Sequence, residues 1–400
     1  MREQLLRVLV IAATDGFAGA LPLSGAAVRV LELNRHLAES DLGVQVEVLL
    51  YDRGRSPGSE PVAGWPFPCT YLSPGDFCSP QRLRQLVLER RPEVLVLDDS
   101  ALVVRCGRQL ADLVGASLVY EMRAVEHEPL LSPRRRVGVQ AEAIQLADAV
   151  VALTGRDLRH AVDTGAGQVS IVPAGTAPAP VTGGWVQEGP VAMAADFTRS
   201  GNAQALLTLH ARLPQGIPVA VYGRFPPSLP PTVPRFELHG PVPDLAAILT
   251  GASAGIACHS EASGMRAQVL AYMAAGLPVI ATPEALAGFP RTWEFALVSE
   301  QPAMADLPSL LDQLHGHPSR ARARGRRGRR LAEGPLSWGS IATRAASAYR
   351  SVRPARAGSQ PRSEVQALAE RAITGGQPAG ASPLSPVLGP GSGRERVTAS

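Results

Sequence analysis

The chain has 400 residues, 45% of them apolar and 18% charged, and its 39 basic residues exceed its 35 acidic residues by four. This length and composition allow two ordinary domains, each with its own core. No stretch is long and apolar enough for a transmembrane helix, which needs about 20 residues. The N-terminus lacks the cleavage site of a signal peptide, so we expect a cytoplasmic protein.

Every basic residue is arginine, because the chain contains no lysine. This excludes a phosphate-loop lysine, a Schiff-base lysine and a lysine general base. Any cationic side chain that binds phosphate must therefore be arginine. The 4 cysteines lack the paired spacing of zinc ligands and the 8 histidines do not cluster with them, so neither a metal nor another cofactor is predicted.

Short β-type runs alternate with helical stretches along most of the chain. This alternation predicts parallel sheets covered by helices on both faces, in two doubly wound, Rossmann-like domains. We place the first domain at 1–180 and the second at 186–335. The predicted strands are Arg7–Ala13, Val44–Leu50, Glu93–Leu97, Ser117–Tyr120, Ala149–Leu153, Pro190–Met193, Pro218–Tyr222, Phe236–His239, Ala254–Ala257, Pro278–Ala281 and Phe295–Val298.

Two segments differ in composition from the predicted domains. Residues Pro173–Pro190 are rich in proline, glycine and small residues, as suits an interdomain connection. Residues 354–400 have no aromatic side chain and are crowded with proline, glycine and serine. We predict that this tail is disordered, apart from a short helix near Glu364–Ile373, because it has too little apolar surface to bury.

The loop after the first strand leads into a helix at Ser24-Gly25. The spacing predicts that Ala27, Val30, Leu31, Leu37 and Ala38 form its buried stripe.

A second helix start follows the turn-prone residues Ala262-Ser263-Gly264, and this helix ends at Gly276 before an apolar strand. Glycine at such a position lets backbone N–H groups approach a phosphate, and the positive end of the helix favours the anion.

This second segment resembles the retaining glycosyltransferases of family 4, the "group 1" family, whose motif reads acid-G-(F/M)-x5-E-A-(M/L)-A-x-G-x-P-V. Ser263 and Ala271 stand where the two acidic residues of the motif would be. The stretch Ala147–Gly175 also tracks the family closely. The acid-G-(F/M) motif quoted above is matched at Gly264, Met265, Leu270, Met273, Ala274, Gly276, Pro278 and Val279.

The resemblance implies the B-type glycosyltransferase fold, in which two Rossmann-like domains face each other across a cleft. It also implies a last helix over 336–353 that crosses back to the first domain, with Trp338 at its start. Gly25 and Arg29 match an element whose glycine N–H faces the acceptor and the donor diphosphate. Val242 lies in a loop that resembles the one lining the nucleotide base.

Five further positions are candidates for the implied chemistry. Arg123 holds the place where the family often has a histidine beside the transferred sugar, with Glu126 and His127 close behind. Arginine has no acceptor lone pair, so it cannot act as a base. Where the family has an arginine and a lysine that grip the diphosphate, this chain has Ala195-Asp196 and Gly201-Asn202, which leaves Arg199 as the nearby cation, with Arg266 as a second candidate.

The segment 320–330 contains seven arginines. Taken alone, it indicates nucleic acid or an anionic membrane surface. Since it resembles a late helix of the family, we interpret it as a solvated helix face and predict no nucleic-acid partner. Weak peripheral contact with a membrane stays open.

These observations predict a glycosyltransferase that moves a sugar, with retention, from a UDP- or GDP-sugar to a small-molecule, polysaccharide or lipid-linked acceptor. The alternative is a non-catalytic homologue that acts as a binding or partner protein, and a sugar-nucleotide epimerase of the same fold is more distant. The base, the acceptor and the oligomeric state stay open. The candidate catalytic residues are Arg123, Glu126 and His127, and the candidate donor-binding residues are Gly25, Arg199, Val242, Ser263, Gly264, Met265, Arg266 and Ala271.

Overall fold

The structure is a computed structural model. It describes residues 5–14, 17–18, 21–22, 24–53, 65–125, 133–177, 185–198, 200–227, 236–242, 244–249, 251–259 and 264–352. The predicted disordered tail and its short helix lie outside the described residues. Within them, no helix combines the length and apolarity needed to cross a bilayer.

The first sheet has seven parallel strands in the order β5-β4-β1-β6-β7-β8-β9. The edge strands β5 and β9 were not predicted, because each is only three residues long with a polar residue in the middle. A two-residue hairpin, β2–β3, follows β1. The strands are β1 Leu6–Thr14, β2 Phe17–Ala18, β3 Leu21–Pro22, β4 Val44–Asp52, β5 Cys69–Tyr71, β6 Val94–Leu97, β7 Ser117–Met122, β8 Ala149–Ala152 and β9 Val169–Ile171.

Helices cover both faces of this sheet, as expected for strands that are apolar on both sides. Helix α1 packs on one face, and α3, α5, α6 and α7 pack on the other. A π-helical turn, Val103–Gly107, joins α4 to α5. The helices are α1 Gly25–Glu39, α2 Pro74–Cys78, α3 Pro80–Arg90, α4 Ser100–Leu102, α5 Arg108–Val114, α6 Pro133–Leu146 and α7 Gly155–Asp163.

The predicted buried stripe of α1 is partly wrong. Ala27, Val30 and Leu37 are buried, but Ala38 is exposed and Leu33 takes its place in the core. The positions 30, 33 and 37 keep the three- and four-residue spacing of one helix face, whereas 38 turns away from it.

The second sheet has six parallel strands in the order β12-β11-β10-β13-β14-β15. Helices α9, α10 and part of α13 cover one face, and α8 and α12 cover the other. The strands are β10 Val191–Asp196, β11 Val219–Arg224, β12 Phe236–His239, β13 Ala254–Ala257, β14 Val279–Ala281 and β15 Ala296–Val298. The helices are α8 Ser200–Arg212, α9 Leu245–Ile248, α10 Ala267–Ala274, α11 Thr292–Phe295, α12 Leu307–Gly316 and α13 Pro318–Glu333, with 3-10 turns at Glu284–Leu286 and Pro302–Met304.

The last described helix, α14 (Trp338–Ser351), returns to the first sheet and packs beside α1. Its first residue lies against Gly175, where a Cβ atom would come within 2.6 Å of the Trp338 ring. Next to this contact, the Thr176 N–H donates to the Leu336 carbonyl at 2.9 Å, and Thr176 forms an isolated bridge with Ser337. The two segments that connect the sheets therefore run side by side.

Candidate functional site at the facing sheet edges

In each sheet the strand order reverses once, between β1 and β6 in the first and between β10 and β13 in the second. Ligands of open α/β sheets bind beyond the carboxyl ends of the strands at such reversals. Helix α1 follows β1 in the chain, and α10 follows β13. Both helices therefore start at the edge where a ligand is expected.

The N-termini of α1 and α10 meet between the two sheets. A Cβ atom on Gly25 would lie 3.2 Å from the Cβ of Ala267. The Ser24 hydroxyl caps α1 by accepting from the Ala27 N–H, whereas α10 has no side-chain cap. Among the described residues, the amides of Gly25, Ala26, Ala267 and Gln268 have no hydrogen-bond acceptor. Two positive helix ends with unused N–H groups thus lie side by side, which favours an anion there.

Two glycines of the second domain let its backbone touch the first domain. Gly264 has a φ of +63°, and a Cβ atom there would lie 2.8 Å from the Arg123 carbonyl oxygen. Gly288 has a φ of +84°, and a Cβ atom there would lie 2.5 Å from a methyl carbon of Thr154 and 3.0 Å from Met265. A side chain at either position would hold the two domains apart.

Beside this contact, Asp157 is completely buried in the first turn of α7. Its carboxylate accepts from the Thr154 hydroxyl at 2.8 Å. Burial raises the pKa of Asp157, and this effect is opposed by the hydrogen bonds from Thr154 and, less strongly, by the backbone N–H of Gly264. The start of α7 in the first domain therefore lies close to the backbone of Gly264 in the second domain.

Arg123 lies just beyond the carboxyl end of β7, with a side chain that is 22% exposed. It forms an ion pair with the buried Asp98, which also accepts from the Ala13 N–H at 2.8 Å, and it donates to the Ala13 carbonyl at 3.4 Å. The guanidinium group is thus held at the cleft edge and already balanced by a carboxylate. The candidates Glu126 and His127, which follow it, lie outside the described residues.

Arg29 does not face the cleft, although it belongs to the same motif as Gly25. Its side chain is 3% exposed, and it donates at 2.6 Å both to Glu121 in β7 and to the Pro173 carbonyl. Tyr349 of α14 lies close to this pair. Its burial and, second, the Glu121 charge raise the pKa of its hydroxyl. Arg29 therefore anchors the first turns of α1 in the core and is not available to a phosphate.

Arg224 is a cation that the sequence patterns did not single out. It ends β11 and pairs in register with Asp196, the last residue of β10, at 2.5 Å. Burial raises the pKa of Asp196, but the hydrogen bonds from Thr198 and the Arg224 charge outweigh it, so the net shift is downward. The acid at the family's arginine position is thus matched by an arginine from the neighbouring strand. Arg199 lies outside the described residues.

The next strand ends contribute two stacked rings. The ring centroids of Tyr222 in β11 and His239 in β12 lie 4.7 Å apart, and the angle between the two ring planes is 13°. Val242, half-buried, follows in the loop expected to line the nucleotide base. Burial, with the nearby Glu237 carboxylate, raises the pKa of the Tyr222 hydroxyl. These groups extend the cleft edge of the second sheet away from α10.

Helix α10 and the residues just before it carry the remaining candidates. Met265, Arg266 and Ala271 are half-buried, and Arg266 occupies the N-cap position. Ser263 lies outside the described residues. The methyl side chain of Ala271 supplies no carboxylate where the family's second glutamate would stand.

Tyr272, at the motif's alanine position, fills the fork between β10 and β13. Its hydroxyl accepts from the Ala194 N–H at 2.9 Å and donates to the Ile256 carbonyl at 3.2 Å. The ring needs Gly255 beneath it, because a Cβ atom there would come within 2.3 Å of the ring. Tyr272 therefore supports the strand ends under the candidate site.

His259 lies two residues after β13 and is a second group that the sequence patterns did not single out. Its Nε2 atom accepts from the Gln268 side chain at 2.7 Å, which joins the strand end to the first turn of α10. Burial first, and the Arg266 charge second, lower the pKa of His259 to about 4. The ring is thus a neutral hydrogen-bond acceptor near neutral pH. In the described part of the chain, no three His, Cys, Asp or Glu side chains are grouped to hold a metal ion.

The same arrangement of two facing parallel sheets occurs in several solved structures. Sucrose-phosphate synthase from Thermosynechococcus elongatus superposes with a TM-score of 0.67 at 17% identity, over 86% of this chain and 98% of that one. Anabaena HepE, solved with UDP and glucose, superposes with a TM-score of 0.66 at 11% identity, over 86% of this chain and 100% of HepE. A glycosyltransferase from Rickettsia africae superposes with a TM-score of 0.61 at 11% identity, over 87% of this chain and 98% of that one. The fold is therefore the B-type glycosyltransferase fold.

The sequence of the first domain resembles a known family. Residues 24–175 match the model of the glycosyl transferase 4-like domain. No curated protein sequence matches the chain significantly. The chain thus carries a glycosyl transferase 4-like domain within a B-type fold, and the resemblance to family 4, group 1 glycosyltransferases is confirmed.

Proposed function

We propose that the protein transfers a sugar, with retention, from a UDP- or GDP-sugar to a small-molecule, polysaccharide or lipid-linked acceptor, without a metal or other cofactor. The observation that carries this proposal is the meeting of the α1 and α10 N-termini at Gly25 and Ala267. A diphosphate is the part of such a donor that two positive helix ends would hold. The HepE structure with UDP and glucose supports this class of donor.

The leaving diphosphate gains negative charge as the sugar departs, and fixed N–H groups and cations lower the barrier for that step. In this chain arginine must supply the cations, since lysine is absent. Arg266 at the start of α10 and Arg224 at the end of β11 are the described candidates. We assign them to the diphosphate, together with the predicted Arg199.

Arg123 would lie beside the transferred sugar, as its place in the family motif implies. Because Asp98 balances its charge, we assign it a hydrogen-bonding and orienting role. Glu126, His127 and Ser263 stay predictions. Val242 and its loop would contact the base, and Met265, whose side chain lies close to Gly288, would contact the donor.

A non-catalytic homologue is the second candidate, and two observations favour it. Ala271 offers no carboxylate to the donor ribose, and a hydrogen bond to a charged group contributes about 1.5–3 kcal/mol, roughly ten- to a hundredfold in affinity. Arg224 is already paired with Asp196, which reduces its net charge toward a phosphate. Both differences weaken donor binding without removing the chemical step.

Calorimetric titration with UDP, GDP and their sugars tests the proposal. We expect binding that weakens in Arg224→Gln and tightens in Ala271→Glu. Arg84→Gln is the control, because Arg84 is an exposed arginine within α3 and belongs to none of the candidate sites. Binding followed by sugar release or transfer supports the enzyme, and binding without turnover supports the non-catalytic homologue. Absence of binding at millimolar nucleotide would overturn the proposed transferase.

A further inference from the structure

Helix α13 presents a strongly basic surface on the second domain. It carries seven arginines, and no acidic residue occurs between Pro318 and Ala332. Apart from Leu331, its buried residues are alanines and glycines, and Gly325 lies so close to Gly276 that a Cβ atom would be 1.9 Å from the Gly276 carbonyl oxygen. Close backbone packing fixes the helix firmly, with its polar face turned to solvent.

Three of the arginines are bound to the protein itself. Arg324 donates to the Trp293 and Ala296 carbonyls at 2.9 and 2.8 Å. Arg329 donates to Glu333 at 2.7 Å and to the Ala274 carbonyl, and Arg322 lies over the Trp185 ring at 5.4 Å. The other four, Arg320, Arg326, Arg327 and Arg330, are exposed, and no carboxylate of the described residues lies within ion-pair distance of them.

Trp293, which contacts α13 through Arg324, is 68% exposed. Of the four tryptophans, Trp338 is buried and Trp65 and Trp185 are half-buried. The Trp293 carbonyl is held by Arg324, whose pKa is lowered first by burial and then by the charge of Arg327. The exposed tryptophan therefore lies next to the helix that carries the exposed cations.

We propose that α13 and Trp293 dock the protein on a bilayer that contains anionic phospholipids. The planar guanidinium group binds phosphate oxygens in pairs, and tryptophan is favoured where headgroups meet acyl chains. Immersion of the ring in this interfacial layer would remove apolar surface from water, which is favourable. Cation and ring together fit a lipid surface better than a nucleic acid, for which one isolated ring gives little stacking.

The position of the surface also sets how the protein would sit on the bilayer. Arg324 binds the carbonyl of Ala296, the first residue of β15, and Gly325 packs on Gly276 just after α10 ends. Both contacts lie at the amino edge of the second sheet, opposite the edge that faces the cleft. A docked protein would therefore keep its cleft open to the aqueous phase.

Vesicle sedimentation tests the proposal with the full chain. We expect binding to vesicles of equimolar phosphatidylcholine and phosphatidylglycerol, none to phosphatidylcholine alone, and a blue shift of tryptophan emission on binding. An arginine near an anionic surface contributes about fivefold in affinity, so R320Q/R327Q should bind about 25-fold more weakly. Trp293→Ser should weaken binding and abolish the blue shift.

The matched control is R84Q/R212Q, which removes two exposed helical arginines elsewhere. It should bind anionic vesicles within about twofold of the unaltered protein, because it leaves the surface intact. No binding to anionic vesicles, or equal losses in the two double variants, would overturn the proposal. So would equally tight binding to a DNA duplex with no shift in emission, which would assign the surface to nucleic acid instead. Thermal unfolding of each variant separates lost docking from lost folding.

Discussion

Gly264→Ala tests whether the contact between the two domains is part of the ligand-binding state. The substitution has two effects. An alanine at φ +63° costs roughly 1 kcal/mol in backbone strain. In addition, its Cβ atom would lie 2.8 Å from the carbonyl oxygen of Arg123, a backbone atom that has little freedom to move.

Gly115→Ala separates the two effects. Gly115 ends α5 with a φ of +69°, and a Cβ atom there meets nothing within 4 Å. Both variants should therefore show a similar drop in melting temperature, from the strain alone. Only Gly264→Ala should lose ligand affinity, because its domains must separate to relieve the contact. Overpacking of this kind costs about 1–3 kcal/mol, which corresponds to roughly 5- to 150-fold.

The assay is calorimetric titration of both variants with the nucleotide that the unaltered protein binds most tightly, paired with thermal unfolding. Small-angle scattering of the free proteins adds a direct measure, since separated domains increase the radius of gyration. If Gly264→Ala binds as tightly as Gly115→Ala, the contact between Gly264 and Arg123 does not belong to the bound state. Ligand binding would then not require the domains to close at this point.

Three further predictions concern groups around the site. The pKa of His259 is about 4 in the folded protein, against an ordinary 6.5 in the unfolded chain. Its contribution to the free energy of unfolding is therefore complete above pH 6.5 and falls by about 3 kcal/mol as the pH drops toward 4. Urea titrations should show this loss for the unaltered protein and much less of it for His259→Gln. Glu121→Ala leaves Arg29 buried without its carboxylate, and chemical denaturation should show a loss of about 3–5 kcal/mol, with a loss below 1 kcal/mol contradicting the pairing. Gly255→Ala should destabilise by about 1–3 kcal/mol, but much less in a Tyr272→Ala background, where the ring is absent; additive losses in the double variant would show that the two residues do not compete for space.

The sheets could be predicted from the sequence because their strands are almost wholly apolar. Runs such as Val94–Leu97 are buried on both faces, and a short apolar run of this kind is typical of a central parallel strand. The helix start near Gly264 was predictable for a similar local reason, since glycine and the following apolar spacing mark it. Short edge strands such as Val169–Ile171 carry too few residues for a pattern.

The site was harder to predict because its partners are distant in the chain. Arg224 comes close to Asp196 only through the register of two neighbouring strands, and nothing in the sequence around either residue announces the pair. Arg29 matched a motif of the cleft, yet its length lets it reach Glu121, 92 positions away, in the core. Spacing along the chain reveals periodic faces, whereas these pairings depend on how complete elements are stacked.

The hydrogen bond between Thr176 and Leu336 has a mechanical consequence. The chain passes between the sheets twice, and this bond ties the two passages together at one point. Two adjoining crossings of this kind form a hinge. They allow one domain to rotate relative to the other about the line on which the crossings lie, and they resist sliding of one domain past the other. We expect any widening of the gap between Gly25 and Ala267 to occur by rotation about the two crossings near Thr176, which would move the parts of the domains farthest from that point the most.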